Sequence, residues 1–269
     1  MNPFEKRAQP LLIGVVHLPP LPGSPMGSSD IRPILDCALT DAKALRQGGV
    51  DGLIIENLGD APFVKDSAEP WTIAAMTRVG CAIRQECPNL FVGINVLRND
   101  ALSALGIAAT VEADFIRVNI HTGVMATDQG IIEGRARETL LARSRLGSTI
   151  SIAADVLVKH ASPLGGGGET GLEQAARDTA HRGRANALIV SGSGTGEPTS
   201  PQHLERVLCA VPEVPVWVGS GIHPDVCLAY AQADAWVVGT WLHRDSDLSK
   251  PICPTRVEHL RTQIEQLPG

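Results

Sequence analysis

The chain has 269 residues, 43% of them hydrophobic, which is enough for one sizeable core. A net charge of −6 without a basic block argues against nucleic acid as a main partner, and 3% aromatic residues leave little to stack on bases. No apolar run approaches the roughly 20 residues that a membrane-spanning helix needs, so no transmembrane segment is expected.

In chain order, short apolar runs alternate with stretches of helical pattern. Residues 11–16 lead to a helix over 34–47, and 52–55 to one over 71–86. Residues 90–96 precede 101–109, and 114–120 precede 135–145. The second half repeats the unit at 150–156 and 169–181, 185–190 and 203–209, 214–218 and 224–231, and 235–238 and 255–266. Gly48-Gly49 closes the first helix, Pro70 opens the second, and Ser200-Pro201 opens the sixth. The runs are continuously apolar, as parallel strands covered on both faces require. Eight such units in a chain near the usual size of about 250 residues predict one α/β domain, a closed (β/α)₈ (TIM) barrel over 1–269 with its core at about 11–266.

The connections differ at the two ends. Those from helix to strand are short: 48–51, 88–89, 147–148 and 183–184. Those from strand to helix are long and polar: 17–33, 57–70, 121–134, 158–168 and 191–200. Long ordered loops on one side of a compact domain mark a functional face, here the mouth formed by the strand C-termini. The residues ending the runs are His17, Glu56-Asn57, Asn95, Arg117 with Asn119, Asp155, Ser191, Gly219-Ser220-Gly221 and Gly239-Thr240.

The last three runs end in Ser191-Gly192-Ser193-Gly194-Thr195-Gly196, Gly219-Ser220-Gly221 and Gly239-Thr240. Glycine lets backbone N–H groups crowd an oxyanion, and barrels bind phosphate after their seventh and eighth strands. Gly219, Ser220, Gly221, Gly239 and Thr240 are therefore the expected phosphate cradle, tight turns into helices being the alternative. The four glycines at 165–168 read as a lid hinge.

Glu56 and Asp155 each present a carboxylate straight after a buried run, where burial raises the pKa toward acid–base use; the alternative is an ion pair that braces the mouth. Lys159 is an anion anchor, a Schiff-base amine or an ion-pair partner. Flanking carboxylates are expected to keep it protonated. His17 joins these three as a catalytic candidate. Asn57, Asn95, Arg117, Asn119, His160 and Ser191 are expected to contact substrate, Arg117 and Asn119 sharing one strand face. A metal on His17, Glu56 and Asp155 is chemically conceivable; no sequence spacing tests it, and neither metal nor cofactor is assigned. Residues 1–7 have no apolar signal core behind their charges, and the six cysteines show no Cys-x-x-Cys spacing. Both point to a cytoplasmic protein with buried, reduced cysteines.

Gly14-Val15-Val16-His17-Leu18-Pro19-Pro20-Leu21-Pro22-Gly23-Ser24-Pro25 resembles the opening signature of the BtpA/SgcQ family. Glu56-Asn57 followed by Gly59-Asp60-Ala61-Pro62-Phe63 resembles its second block. Ala154-Asp155-Val156-Leu157-Val158-Lys159-His160 and Ser191-Gly192 with Gly196 are similar to later blocks. The resemblance spans residues 11 to about 260. It implies a barrel of the ribulose-phosphate-binding group and, in cyanobacteria, a peripheral thylakoid role in photosystem I biogenesis. It carries over no catalytic residues.

The leading expectation is an enzyme on a small phosphorylated metabolite, a sugar phosphate, using acid–base lyase or isomerase chemistry. The alternatives are a non-catalytic photosystem I biogenesis factor with peripheral membrane contact, and a hydrolase of a phosphorylated or nucleoside-like ligand. A homo-oligomer is expected. Fold alone does not choose among these functions.

Overall fold

The computed structural model describes residues 2–165, 169–192, 194 and 196–267. Eight parallel strands close into a barrel: β1 (Leu11–His17), β2 (Gly52–Glu56), β3 (Phe91–Asn95), β4 (Phe115–Val118), β7 (Ser151–Val156), β9 (Ala187–Val190), β10 (Val216–Val218) and β11 (Ala235–Val238), which returns to β1. Helices α1 (Arg32–Gln47), α2 (Pro70–Glu86), α3 (Ala101–Thr110), α4 (Ala136–Arg145), α5 (Glu169–Arg177), α6 (Pro201–Ala210) and α7 (Pro254–Glu265) form the outer layer. The (β/α)₈ expectation holds for the barrel.

Strand parity divides the apolar residues into two cores. On β1, Leu12 and Val16 face outward and join the large helix–strand cluster. Leu11, Ile13 and Val15 face inward and join a smaller cluster with Ile54, Phe115, Ala153, Ile189, Trp217 and Val237. Phe4 closes this inner core, its ring centroid 5.7 Å from Phe115 and 5.3 Å from Trp217. Gly93 makes room for that packing, because a methyl group there would lie 2.4 Å from the Phe115 ring. The same alternation brings His17, Glu56, Asn95, Asp155, Ser191, Gly219 and Gly239 inward at the strand C-termini.

Three expectations are corrected. The helical pattern at 224–231 forms only a 3₁₀ turn, Cys227–Tyr230. Buried rings hold its end: Trp236 Nε1 donates to Tyr230 O (2.9 Å), and Tyr230 Oη to Thr199 O (2.5 Å). The helix read over 169–181 ends at Arg177 and continues as a π turn over Asp178–Arg182. The loops at 121–134 and 158–168 carry an antiparallel sheet of β5 (Val124–Thr127), β6 (Gly130–Glu133) and β8 (Ala161–Pro163), order β6-β5-β8. It stands on Ile120, Met125, Ile132 and Val158.

Of the six free cysteines only Cys87 and Cys227 are buried. Of the glycines at 165–168, three lie outside the described residues. Among the described residues no helix is long and apolar enough to cross a membrane.

Candidate active site at the barrel mouth

The mouth is a buried network of charges built on the strand ends. Arg117 extends from β4, and its guanidinium grips Asp155 with two bonds, Nη2 to Oδ1 at 2.9 Å and Nε to Oδ2 at 3.0 Å. Asn119 Nδ2 donates to Oδ2 (3.0 Å) and Ser191 Oγ to Oδ1 (3.1 Å). Each Asp155 oxygen thus accepts two hydrogen bonds. The geometry is that of a brace: it leaves the carboxylate no lone pair for a substrate proton. It also leaves no donor at Asp155 for the conceivable metal, and among the described residues no group of three or more His, Cys, Asp or Glu is arranged to hold one.

Glu56 is placed differently. Asn95 Nδ2 donates to Oε2 at 2.5 Å, Arg117 Nη1 lies 3.9 Å from Oε2, and His17 Nε2 lies 3.9 Å from Oε1. Burial pushes its pKa up, but Arg117, His17, Lys159 and the Asn95 hydrogen bond together hold it below the ordinary value. The expected rise is therefore corrected: Glu56 is a carboxylate at neutral pH, with Oε1 open toward the cavity.

His17 is held neutral. Burial outweighs the pull of Glu56, with His243, Lys159 and Arg117 adding to the depression, and its pKa falls to about 4. The ring stacks on His243 at 5.7 Å between centroids, and Nδ1 is buried without a partner among the described residues. Gly239 permits this position, since a Cβ there would lie 2.6 Å from His17 Cε1.

Lys159 follows β7 in a turn where Leu157 and His160 have positive φ. Arg98 Nη2 donates to its carbonyl at 2.7 Å. The ammonium itself has no hydrogen-bond or ion-pair partner among the described residues. Burial, Arg117 and Arg98 lower its pKa against the opposing pull of Glu56 and Asp155. Besides the two expected carboxylates, two arginines that the sequence reading did not place beside it share the same space and oppose them.

A cavity of about 180 Å³ collects His17, Glu56, Arg117 and Lys159 together with Gly219, Ser220, Gly221, Gly239 and Thr240. The Gly219 N–H is committed to Val190 O at 2.8 Å, which corrects the idea that every glycine amide in the cluster is available. The amides of Ser220, Gly221, Gly239 and Thr240 have no protein acceptor among the described residues. Gly221 has a φ of +72°, and any side chain there would meet Pro198 Cα at 2.2 Å, so the turn requires glycine. Ser220 Oγ is fixed by the Gly192 amide at 2.7 Å. Ser193 and Thr195 of the neighbouring cluster lie outside the described residues.

Other sequence candidates fall beside this cavity. Asn57 braces a loop: its Nδ2 donates to Asp60 Oδ2 (3.0 Å) and its Oδ1 accepts the Leu97 amide (2.7 Å). Asn95 and Ser191 act on Glu56 and Asp155 without lining the cavity. Asn119 and His160 line a second cavity of about 340 Å³, which shares Glu56 and Lys159 with the first. Its other walls are residues that strand-end reasoning missed: Leu58, Phe63, Leu97, Arg98 and Asp128.

Known proteins bear on this arrangement. The BtpA family model matches residues 7–266. "Photosystem I biogenesis protein BtpA" of Synechocystis sp. is 47% identical over 250 residues, 91% of this chain and 85% of that protein. Among solved structures, phosphoribosyl anthranilate isomerase from Thermus thermophilus is similar with a TM-score of 0.57 at 13% identity, covering 96% of this chain and all of that one (100%). So is 3-keto-L-gulonate-6-phosphate decarboxylase from Vibrio cholerae, with a TM-score of 0.56 at 13% identity and coverage of 97% and 100%. At these identities the two structures speak for the barrel fold alone. The match along nearly the whole chain, with a relative at 47% identity, carries the assignment: this chain belongs to the BtpA family.

Proposed function

We propose that this barrel is an enzyme that binds a small phosphorylated metabolite and performs acid–base chemistry of the lyase or isomerase kind. One observation carries the reading. A buried carboxylate with an open oxygen shares a cavity with a buried amine and four backbone amides that have no partner among the described residues. Amides clustered at strand ends suit an oxyanion, and Ser220 and Thr240 add hydroxyl donors. Glu56, ionised at neutral pH, is the general base that removes a proton from the substrate. Neutral His17, 3.9 Å from it, relays that proton or returns it to a neighbouring atom. Lys159 contacts the oxygen on which negative charge develops, and Arg117, held by Asp155, fixes the field at Glu56. The solved neighbours named for phosphoribosyl anthranilate and 3-keto-L-gulonate-6-phosphate lend this reading the support of analogy.

The test is a thermal-shift series with inorganic phosphate and sugar phosphates. A ligand at 100 times its Kd adds about 2.7 kcal/mol of stability. Thr240→Glu, which puts a carboxylate into the cradle, removes that gain; Gly221 is unsuitable because a side chain there would disrupt the backbone. Glu56→Gln abolishes turnover and keeps ligand binding. If no phosphorylated compound shifts the melting curve, or if Thr240→Glu leaves every shift intact, the reading fails. Covalent trapping of Lys159 by borohydride with a carbonyl substrate makes it a nucleophile instead of a charge-holding group.

A second reading, an assembly factor without catalysis, is favoured by the name of the 47% identical relative. It predicts that Glu56→Gln has no effect on function in cells.

A further inference from the structure

The phosphate chamber is too small to be the whole site. Its volume of about 180 Å³ holds about six waters, whereas pockets for small molecules span roughly 300–1,000 Å³. The second cavity, about 340 Å³, shares Glu56 and Lys159 with it, so the two residues line both. Together the chambers reach the usual range, with the chemical groups at the waist.

The second chamber has its own chemistry. Leu58, Phe63 and Leu97 give it apolar walls, unlike the glycine and hydroxyl lining of the first. Asn119 is 2% exposed; its Nδ2 is held by Asp155, and its Oδ1 is buried without a donor among the described residues. A buried acceptor left bare is unfavourable unless a ligand supplies an N–H or O–H. Arg98, 4% exposed, lies on the same wall and uses one nitrogen on Lys159 O. Asp128, at the tip of the β5–β6 hairpin, also lines the chamber. These walls suit a flat group with apolar faces and an edge that both donates and accepts hydrogen bonds.

Resting on the phosphate reading above, we infer that the substrate is two-part: a sugar phosphate whose far end carries a flat nitrogenous or aromatic ring. The phosphate sits at Ser220, Gly221, Gly239 and Thr240, and the ring sits against Phe63 with its edge on Asn119 and Arg98. The bond that reacts lies between the two, beside Glu56 and Lys159. A bare sugar phosphate would leave the apolar chamber wet.

Calorimetric titration with inorganic phosphate, ribose 5-phosphate, uridine 5′-monophosphate and adenosine 5′-monophosphate tests this. At least one nucleotide is expected to bind tenfold or more tighter than ribose 5-phosphate, the scale of one aromatic stacking contact. Phe63→Ala, a half-buried loop position, removes that advantage and leaves ribose 5-phosphate unchanged. Asn119→Leu, which takes away the acceptor, does the same if the Asp155 brace survives, as its melting curve reports. Equal binding of ribose 5-phosphate and both nucleotides, or an advantage indifferent to Phe63→Ala, overturns the two-part substrate while the phosphate cradle stands. Failure of all four probes overturns both.

Discussion

The two ends of the barrel are built from opposite materials. At the strand N-termini the interior is filled by Phe4, Phe115 and Trp217, whose rings touch edge to face or tilted, with Leu11 and Ala235 beside them. At the C-termini the same inward positions hold His17, Glu56, Asn95 and Asp155, with Arg117 reaching up between the carboxylates. The apolar end gains free energy from every buried ring. The polar end gains little, because desolvating charges offsets most of their mutual attraction. Stability should therefore reside at the floor and function at the mouth, and substitutions at each end test that division.

The largest loss of stability is expected from Trp217→Ala. Its side chain is fully buried at the centre of the ring cluster, and Trp→Ala in a core costs about 3–5 kcal/mol. Ligand binding per folded molecule should persist, as denaturant unfolding and titration of the same sample would show. Loss of binding at full folding would mean that the floor shapes the mouth. Arg117→Met is expected to come next, at about 3 kcal/mol, because it strands two buried carboxylates. Most of that loss should return in Arg117→Met/Asp155→Leu, which removes charge from both partners. A double variant no better than the single one would show that Glu56, and not Asp155, is the carboxylate Arg117 must neutralise.

This division of labour also explains what was legible in the sequence. Parity along a strand is a local property, so His17, Glu56, Asn95 and Asp155 could be placed at the mouth from the ends of their apolar runs. Their partners could not. Whether Asp155 is a base or a brace depends on Arg117 reaching it from β4. Whether Lys159 meets carboxylates or arginines depends on Arg98, brought in by a loop that Asn57 holds through the Leu97 amide. The β5–β6 hairpin has strands of four residues each, with only Met125 and Ile132 buried, too weak an alternation to read. Its Asp128 was invisible for that reason. Nothing in the periodicity of 224–231 reveals that the segment forms only a 3₁₀ turn.

Acid should separate the two ends without any substitution. His17 is neutral in the fold, with a pKa of about 4 against the ordinary value near 6.5. A histidine with a depressed pKa stabilises the fold fully above its unfolded value, and that contribution is lost as pH falls from about 6.5 to 4. At about 1.4 kcal/mol per pKa unit the loss is about 3 kcal/mol when complete. Glu56, whose pKa is also held down, adds a loss of the same sign at lower pH. The floor contains no titrating group in its ring cluster and contributes no such slope. Stability measured from pH 7 to 4 should therefore fall, and the fall should shrink in His17→Gln. An unchanged slope in that variant would place the acid sensitivity elsewhere.

The smallest expected effect is the most diagnostic. Lys159 is the mouth cation that nothing in the described fold pairs, and burial beside Arg117 and Arg98 disfavours its charge. Met has a similar length and no charge to desolvate, so Lys159→Met should raise stability by about 1 kcal/mol, the usual gain when a functional compromise is removed. The same substitution should abolish turnover and weaken phosphorylated ligands, since the amine faces both chambers. Any structural role predicts the reverse, a fold that loosens when the lysine is removed. The comparison needs only unfolding curves and one ligand titration on a single variant. A destabilised Lys159→Met that still binds ligand would mean that the mouth, like the floor, is built to hold the barrel together.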